Sequence, residues 1–393
     1  MNTDLKIQIK TLTPLWTGGV DGSCDRLHET GIIGSLRWWY EAIVRGLGGY
    51  ACDPTGDRQC KLNWKEKDEG DRKKNMCPVC YLFGCTGWKR RFQLQIEVAP
   101  LVPLHFRTLS NKRWLGEIFV NIDNLKVPYG NIEFRLIINE NNKGDLFIQS
   151  QLMMLLEFIA AYGGLGAKLQ YGFGQISNPE IYGEKEVFQK GLDSLKAAIK
   201  RKEFKPDIKQ VNTIYDINNF ICMEYEIPGH KFAKFLYPSS HFGNYFLIDE
   251  RKYIPCVFDL RYKNKENWGM RQWLKGKEGW FESDDPKKWG TIDKLLGPRS
   301  QWKIKGKTVF IHDDYRMASR LCFGMPHQLT NGSYHLKIYG FAPSDINISG
   351  ENMTPESLNR LCQEYISYII KIEHPANRHL GKDIIKTSGG GSK

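Results

Sequence analysis

The chain has 393 residues, 41% hydrophobic and 25% charged, which supplies cores for two or three domains and excludes a wholly disordered chain. Fifty-six Lys and Arg against 44 Asp and Glu leave a formal charge of +12, a balance that favours a polyanionic partner. The start, MNTDLKIQIK, lacks an apolar signal core, and the longest apolar run, Leu152 to Tyr162, is broken by Glu157 and falls far short of the ~20 residues that span a bilayer, so a cytoplasmic protein without membrane contact is expected.

The first element is a strand, Leu5 to Ile9, because apolar and polar residues alternate there. A turn-rich loop, Thr17 to Gly22, leads to a helix over about 31–47. Its stripe is Ile32, Ile33, Leu36, Tyr40, Ile43, Val44 and Leu47, spaced for one face. Trp38 falls on the opposite face among Arg37, Glu41 and Arg45, which predicts an exposed aromatic–arginine surface. After a cysteine-bearing segment, Phe92–Val98 and Ile132–Leu136 alternate and read as strands. A helix from about Leu146 to Tyr162, apolar nearly all round, reads as buried and runs into Gly163. The order strand–helix–strand–strand–helix–strand predicts a ferredoxin-like unit over 1–180, with the cysteine-rich insertion at 50–87.

A linker helix is expected in 181–212, with Phe188, Leu192, Leu195 and Ile199 in line and Lys200, Arg201 and Lys202 at its end. The second unit spans 213–387. It contains a stretch, 250–310, without clear period, in which Trp268, Trp273, Trp280, Trp289 and Trp302 sit among lysines and divide between core and partner interface. Tyr334 to Ile338 reads as a strand. Thr354-Pro355 starts a helix with Leu358, Leu361, Cys362, Tyr365 and Ile369 on one face. The strand–loop–strand–helix order of 100–162 thus recurs loosely in 320–372. The fold class expected is α+β, with two ferredoxin-like units and a metal-binding insertion in the first. The last residues, 388–393, have flexible-linker composition.

Five of the ten cysteines fall between Cys52 and Cys85. The Cys77-x2-Cys80 knuckle presents two thiolates to one tetrahedral ion, and Cys52 and Cys60 complete a four-sulfur shell. The charged segment around them cannot build its own core, so a structural zinc held by Cys52, Cys60, Cys77 and Cys80 is expected, with Cys85 as the spare. A filled shell leaves no open position for a substrate.

The segment Gly163-Gly164-Leu165-Gly166-Ala167-Lys168-Leu169-Gln170-Tyr171-Gly172-Phe173-Gly174 follows a helix and lacks both the dinucleotide spacing and a P-loop ending. Its glycines permit positive φ and close backbone approach. Lys168, Gln170 and Tyr171 between them suit phosphate contact and base stacking, and a tight helix-to-strand turn is the competing reading.

This loop resembles the glycine-rich loop of the RAMP superfamily, the ferredoxin-like RNA-binding subunits of CRISPR effector complexes. His28 to Trp39, containing Gly34-Ser35-Leu36-Arg37-Trp38-Trp39, is similar to the Gly-x-x-Arg-Trp-Trp first helix of the first-numbered RAMP subunits of type III-B Cmr complexes. Cys52-Asp53-Pro54-Thr55 and Cys77 to Trp88 are also similar to bacterial forms of those subunits. Arg316 to Leu321 matches their second domain loosely, without a second glycine-rich loop after the last helix. The resemblance implies a non-catalytic RNA-binding subunit for antiviral defence. Such a subunit contacts the 3′ part of the guide (crRNA), helps capture target RNA, and has the other Cmr subunits as partners, especially the neighbouring RAMP subunit at the distal end.

The RNA contacts expected are His28, Gly34, Arg37, Trp38 and Arg45 on the first helix, the basic run Lys89, Arg90 and Arg91, and Gly163, Gly164, Gly166, Lys168, Gln170, Tyr171, Gly172 and Gly174 in the loop. The free N–H groups at the helix start suit a phosphate. The competing class is a metal-dependent endoribonuclease using Asp21 and Asp25, or His28 as general base. No nucleophile–base pair is recognisable, so no catalytic residue is expected.

Overall fold

The computed structural model describes residues 2–19, 23–53, 59–62, 68–107, 125–139, 146–181, 187–204, 213, 215–231, 245–248, 252–255, 257–261, 269–298, 301–304, 307–310 and 316–386. Asp21, Trp268, the tail 388–393 and residues 205–212 lie outside these residues.

β1 (Asn2–Lys10) bears out its alternation, with Ile7 and Ile9 buried. α1 (Glu29–Gly46) follows, then α2 (Glu69–Lys74) and α3 (Pro78–Phe83) in the cysteine-rich segment. The first half continues with β2 (Phe92–Val98), β3 (Leu101–Arg107), β4 (Lys126–Pro128), β5 (Asn131–Asn139), α4 (Phe147–Tyr162), β6 (Glu180–Ile181) and α5 (Val187–Lys200). The sheet is antiparallel in the order β2-β5-β1-β6, with Ile7 opposite Phe134 and Leu94 opposite Leu136. Its apolar face closes on Ile32 and Leu36 of α1 and Leu152 and Leu156 of α4. Its other face carries ion pairs such as Arg135–Asp4 at 2.6 Å, more than a third exposed. Each buried aliphatic or aromatic side chain contributes roughly 1.5–3 kcal/mol, whereas an exposed pair contributes at most about 1. The apolar face therefore decides which way the sheet turns. The helix expected as a linker packs along α4: Leu192 and Leu195 are buried, and Gln151 Nε2 donates to Gly191 O at 2.9 Å.

The second half runs β7 (Phe220–Ile227), β8 (Tyr245–Ile248), β9 (Lys252–Pro255), α6 (Phe258–Arg261), α7 (Met270–Lys275), α8 (Thr291–Leu296), β10 (Gln301–Ile304) and β11 (Lys307–Phe310). Then come β12 (Leu321–Phe323), β13 (His327–Gln328), β14 (Tyr334–Phe341), β15 (Asn347–Ile348), β16 (Glu351–Asn352), α9 (Pro355–Ile370), β17 (Asn377–Leu380) and α10 (Gly381–Ile384). Its main sheet is ordered β12-β14-β7-β17, also antiparallel. In both halves the four main strands read second, third, first, fourth in chain order. The repeat that residues show only loosely is explicit in topology. α9 starts as expected, with Thr354 accepting from Ser357 N at 3.2 Å and Pro355 in the first turn, and Leu358, Cys362, Tyr365 and Ile369 are buried.

Residues 269–298 of the aperiodic stretch are organised by buried ions rather than by a stripe. Arg271 Nη1 donates to Glu282 at 2.8 Å and Asp293 at 3.1 Å, and Asp293 also accepts from Ser283 N and Gly290 N. Trp280 is buried, Trp273 packs on Tyr365 and Tyr368, and Trp289 is on the surface. Among the described residues no helix is long and apolar enough to cross a membrane.

The halves are joined in two ways. β3 of the first half pairs with β8 of the second, in a sheet ordered β4-β3-β8-β9. Phe220, Cys222, Tyr339 and Phe341, from one face of the second main sheet, enter the core formed by α1 and α4. Lys337 Nζ, buried, donates to Ala160 O of α4 at 2.8 Å. Glu224 lies on the same face. Burial raises its carboxyl pKa, but His335 at 3.3 Å, Asn377 at 3.0 Å and the Lys337 charge outweigh it and hold the group at about 2 instead of 4.5. A depressed folded pKa contributes stability above the unfolded value, lost as pH falls through the folded one. Glu224→Gln is therefore expected to flatten the fall in melting temperature between pH 4.5 and about 2, read by thermal unfolding across that window. An unchanged acid limb would refute the assignment.

Candidate metal centre and nucleic-acid interface

Cys77 caps the start of α3, with its backbone extended and Pro78 in the first turn. That turn returns Cys80 beside Cys77, whose sulfur accepts from Cys80 N at 3.4 Å. Cys60 Sγ accepts from Cys77 N at 3.4 Å, and Cys52 Sγ is 3.3 Å from Cys80 Sγ and 3.9 Å from Cys77 Sγ. The four sulfurs lie within 4.8 Å of one another, and all four residues are buried. A tetrahedron with metal–sulfur bonds of about 2.3 Å has edges of about 3.8 Å. The donor set fits a thiophilic ion in size and chemistry, and N–H groups point at two of its sulfurs. Mutual hydrogen bonding, chiefly from Cys52, draws the Cys60 thiol pKa down and pushes that of Cys80 up. Such crowding favours a shared cation over four protons. The cluster can hold a metal ion with Cys52, Cys60, Cys77 and Cys80 as ligands. Cys85 stays outside it, half-buried against Met76 Sδ at 3.7 Å.

The polar face of α1 is not the open surface that the sequence predicts. Arg37 Nε donates to Glu41 at 3.1 Å, its Nη1 to Gly84 O at 3.1 Å and its Nη2 to Cys80 Sγ at 3.5 Å. Arg45 Nη2 donates to Glu41 at 3.2 Å and its Nη1 to Tyr215 O at 3.2 Å. Trp38 is half-buried, edge-on to Tyr215 and Phe341 at 5.5 Å each and to Trp39 at 4.7 Å. The cysteine module covers one side of this face and the second half covers the other. That is why an aromatic amid arginines is largely covered here rather than open to solvent. The spacing Arg37-x3-Glu41-x3-Arg45 is an i,i+4 ion-pair signal that the sequence reading passed over.

The glycine-rich loop is mostly interior. Trp39 Nε1 donates to Gly164 O at 2.9 Å, and a β-carbon on Gly163 would lie 2.6 Å from the Trp39 ring. Gly172 and Gly174 have φ near +90°, and Gly174 N donates to Pro14 O at 2.9 Å. Gly172 O accepts from Thr13 Oγ1 at 3.1 Å and from Met325 N at 3.2 Å. Tyr171 packs on Phe258, and Gln170 O accepts from Arg261 Nη1 at 3.1 Å. Gly163, Gly164, Gly172 and Gly174 are buried, so this part of the loop is a tight turn packed between the halves, while Gly166, Lys168, Gln170 and Tyr171 are half-buried. Arg91 is buried under the Tyr81 and Trp88 rings, and Arg90 lies over Phe92 and donates to its carbonyl at 2.7 Å. Only Lys89 of that basic run is exposed.

What stays accessible is a narrower strip at the start of α1. Asp25, Arg26, Thr30, Gly34 and Ala167 are exposed, and nothing lies within 4 Å of a β-carbon placed on Gly34. Ser35 Oγ accepts from Gly166 N at 3.0 Å, which ties the helix to the loop. Lys168 sits with φ +57°, its Nζ 4.5 Å from the Trp16 ring centroid, and partial burial lowers its pKa. His28 Nε2 is 2.7 Å from Asp25 Oδ1, and this hydrogen bond lowers the Asp25 carboxyl pKa. His28 at the N-cap position makes no side-chain cap to the first N–H groups of this 18-residue helix.

Residues 8–177 match the model of the RAMP superfamily. No curated relative matches the chain. Among solved structures, a chain of a type III-B Cmr-beta assembly, determined by electron cryo-microscopy bound to cognate target RNA, is similar over 94% of this chain and 99% of its own, with 13% identity and a TM-score of 0.43.

Proposed function

We propose, from the RAMP match over residues 8–177, that the chain is a non-catalytic RNA-binding subunit of a type III-B CRISPR effector complex, acting in the cytoplasm. In this reading it is the first-numbered RAMP subunit, touches the 3′ part of the guide RNA and helps capture target RNA beside the neighbouring Cmr subunits. Its two halves, 1–180 and 213–387, are ferredoxin-like units, as the shared strand order supports, and the insertion 50–87 is held by a structural zinc. When bound, the zinc supplies a cross-link in place of a core. The accessible strip then takes the backbone: the α1 start and Gly34 receive a phosphate, and Lys168 adds positive charge. Arg37, Arg45, Trp38, Arg90 and Arg91 hold the fold instead.

The full chain should bind a labelled single-stranded RNA weakly, with affinity falling as salt rises. Lys168→Ala should weaken binding for every sequence and reduce the salt slope by about 0.7–1. An unchanged slope in a folded Lys168→Ala chain would remove Lys168 from the interface. The Asp25–His28 pair favours one rival, an endoribonuclease. In the reconstituted complex with magnesium or manganese, target cleavage at saturating occupancy should survive Asp25→Ala and His28→Ala. Loss of cutting in either would replace the binding-only reading with the enzyme.

A further inference from the structure

Arg37 touches three different things at once: a cysteine sulfur, the carbonyl of Gly84 and the carboxylate of Glu41. Its side chain is 19% exposed and that of Glu41 10%, so these groups meet largely out of water. Glu41 is shared with Arg45, which reaches the carbonyl of Tyr215 in the second half. The same helix end receives the turn that follows Tyr215. Asn218 Nδ2 donates to Gly46 O at 3.1 Å, and a β-carbon on Gly46 would lie 2.1 Å from Ile217 Cγ2.

With a divalent ion in place, four thiolates leave the shell anionic. Two guanidinium groups then face two anionic groups, the shell and Glu41. With the thiols protonated and no ion, the same two guanidinium groups face one carboxylate. Two largely buried cations left to share one carboxylate are costly in low dielectric, and the response open to this face is to loosen and admit water.

We propose that Arg37 is the counter-charge of the loaded cysteine shell and a positioning residue for it, and that through Glu41 and Arg45 the ion supports the seat of residues 215–219 on α1. The inference rests on reading Cys52, Cys60, Cys77 and Cys80 as a metal centre. It gives the Arg of the Gly34-x-x-Arg37-Trp38-Trp39 segment an internal task in place of an RNA contact.

The test uses the full chain purified with its metal. Release of the ion to a chromogenic chelator is followed for the parent, Arg37→Lys and Arg37→Gln chains, and hydrogen exchange of residues 213–220 is measured before and after extraction. Outer-shell partners typically govern metal affinity by about 10–100-fold, so Arg37→Gln should release the ion faster by about that factor. Arg37→Lys, which keeps the charge but loses the fork, should fall between. Extraction from the parent chain should raise exchange in 213–220 by about tenfold or more, while α9 stays protected. Release within about twofold of the parent in a folded Arg37→Gln chain overturns the counter-charge role. Unchanged exchange in 213–220 on extraction overturns the link to the second half, and needs no variant that might misfold. A purified chain without metal sinks the metal reading itself, a result distinct from metal present with unchanged release.

Discussion

Replacing Cys77 with Ser should abolish metal binding and unfold the segment around residues 50–90, while elemental analysis of the parent chain finds about one zinc. Cys77 does two things: its sulfur is one of four within 4.8 Å, and it caps α3 by accepting from Cys80 N. Structural zinc sites have apparent binding free energies of about 10–16 kcal/mol in small peptides. Even a third of that, kept as native-state stabilisation, is comparable with the roughly 5–15 kcal/mol that holds a typical domain together. The damage should spread beyond the module, because Val79, Tyr81 and Leu82 of α3 lie fully buried in the first core. Cys85→Ser, outside the cluster, should keep the metal. Full metal content in Cys77→Ser, or its loss in Cys85→Ser, would overturn the ligand assignment.

Trp39→Ala should cost about 3–5 kcal/mol, the usual range for removing a buried aromatic, and should loosen the two halves together. Trp39 is 1% exposed and packs on Phe158 of α4 and on Phe220, Tyr339 and Phe341 of the second half, while its Nε1 holds Gly164 O. One deletion opens a cavity where α1, α4, the glycine loop and the second sheet meet. Denaturant unfolding with limited proteolysis around 163–174 and 213–220 reads both effects. Trp38→Ala should have the smaller effect, since Trp38 is half-buried, and should leave RNA binding per folded molecule unchanged. A stability loss below about 1 kcal/mol for Trp39→Ala would show that the joint can repack around the gap.

The elements with a clear period were legible because their signals are local. Alternation places β1 and β2, helical spacing places α1, and Thr354-Pro355 marks the start of α9. The cysteine spacing named the same four residues that converge in space, since a Cys-x2-Cys turn at a helix start brings two sulfurs together by itself. The strand order of the second half was not legible. In its middle, residues 269–298 are stabilised by Arg271, Glu282 and Asp293, and charges brought together by tertiary folding leave no period.

The exposure of polar residues was misjudged for the same reason. Arg37, Trp38 and Arg45 sit on the polar side of a helical wheel, and a wheel assumes that this side meets water. Gly163 to Gly174 has the composition of an open, ligand-cradling loop, and composition does not reveal what lies across from it. By itself the sequence determined the strands and helices with a clear period, such as β1, β2, α1 and α9, and which four sulfurs share a site, because backbone geometry and short-range spacing decide those. Only the tertiary structure decided which polar faces remain in solvent, because the cysteine module and the second half cover α1 from far along the chain, and burial is set by whatever packs across the space between.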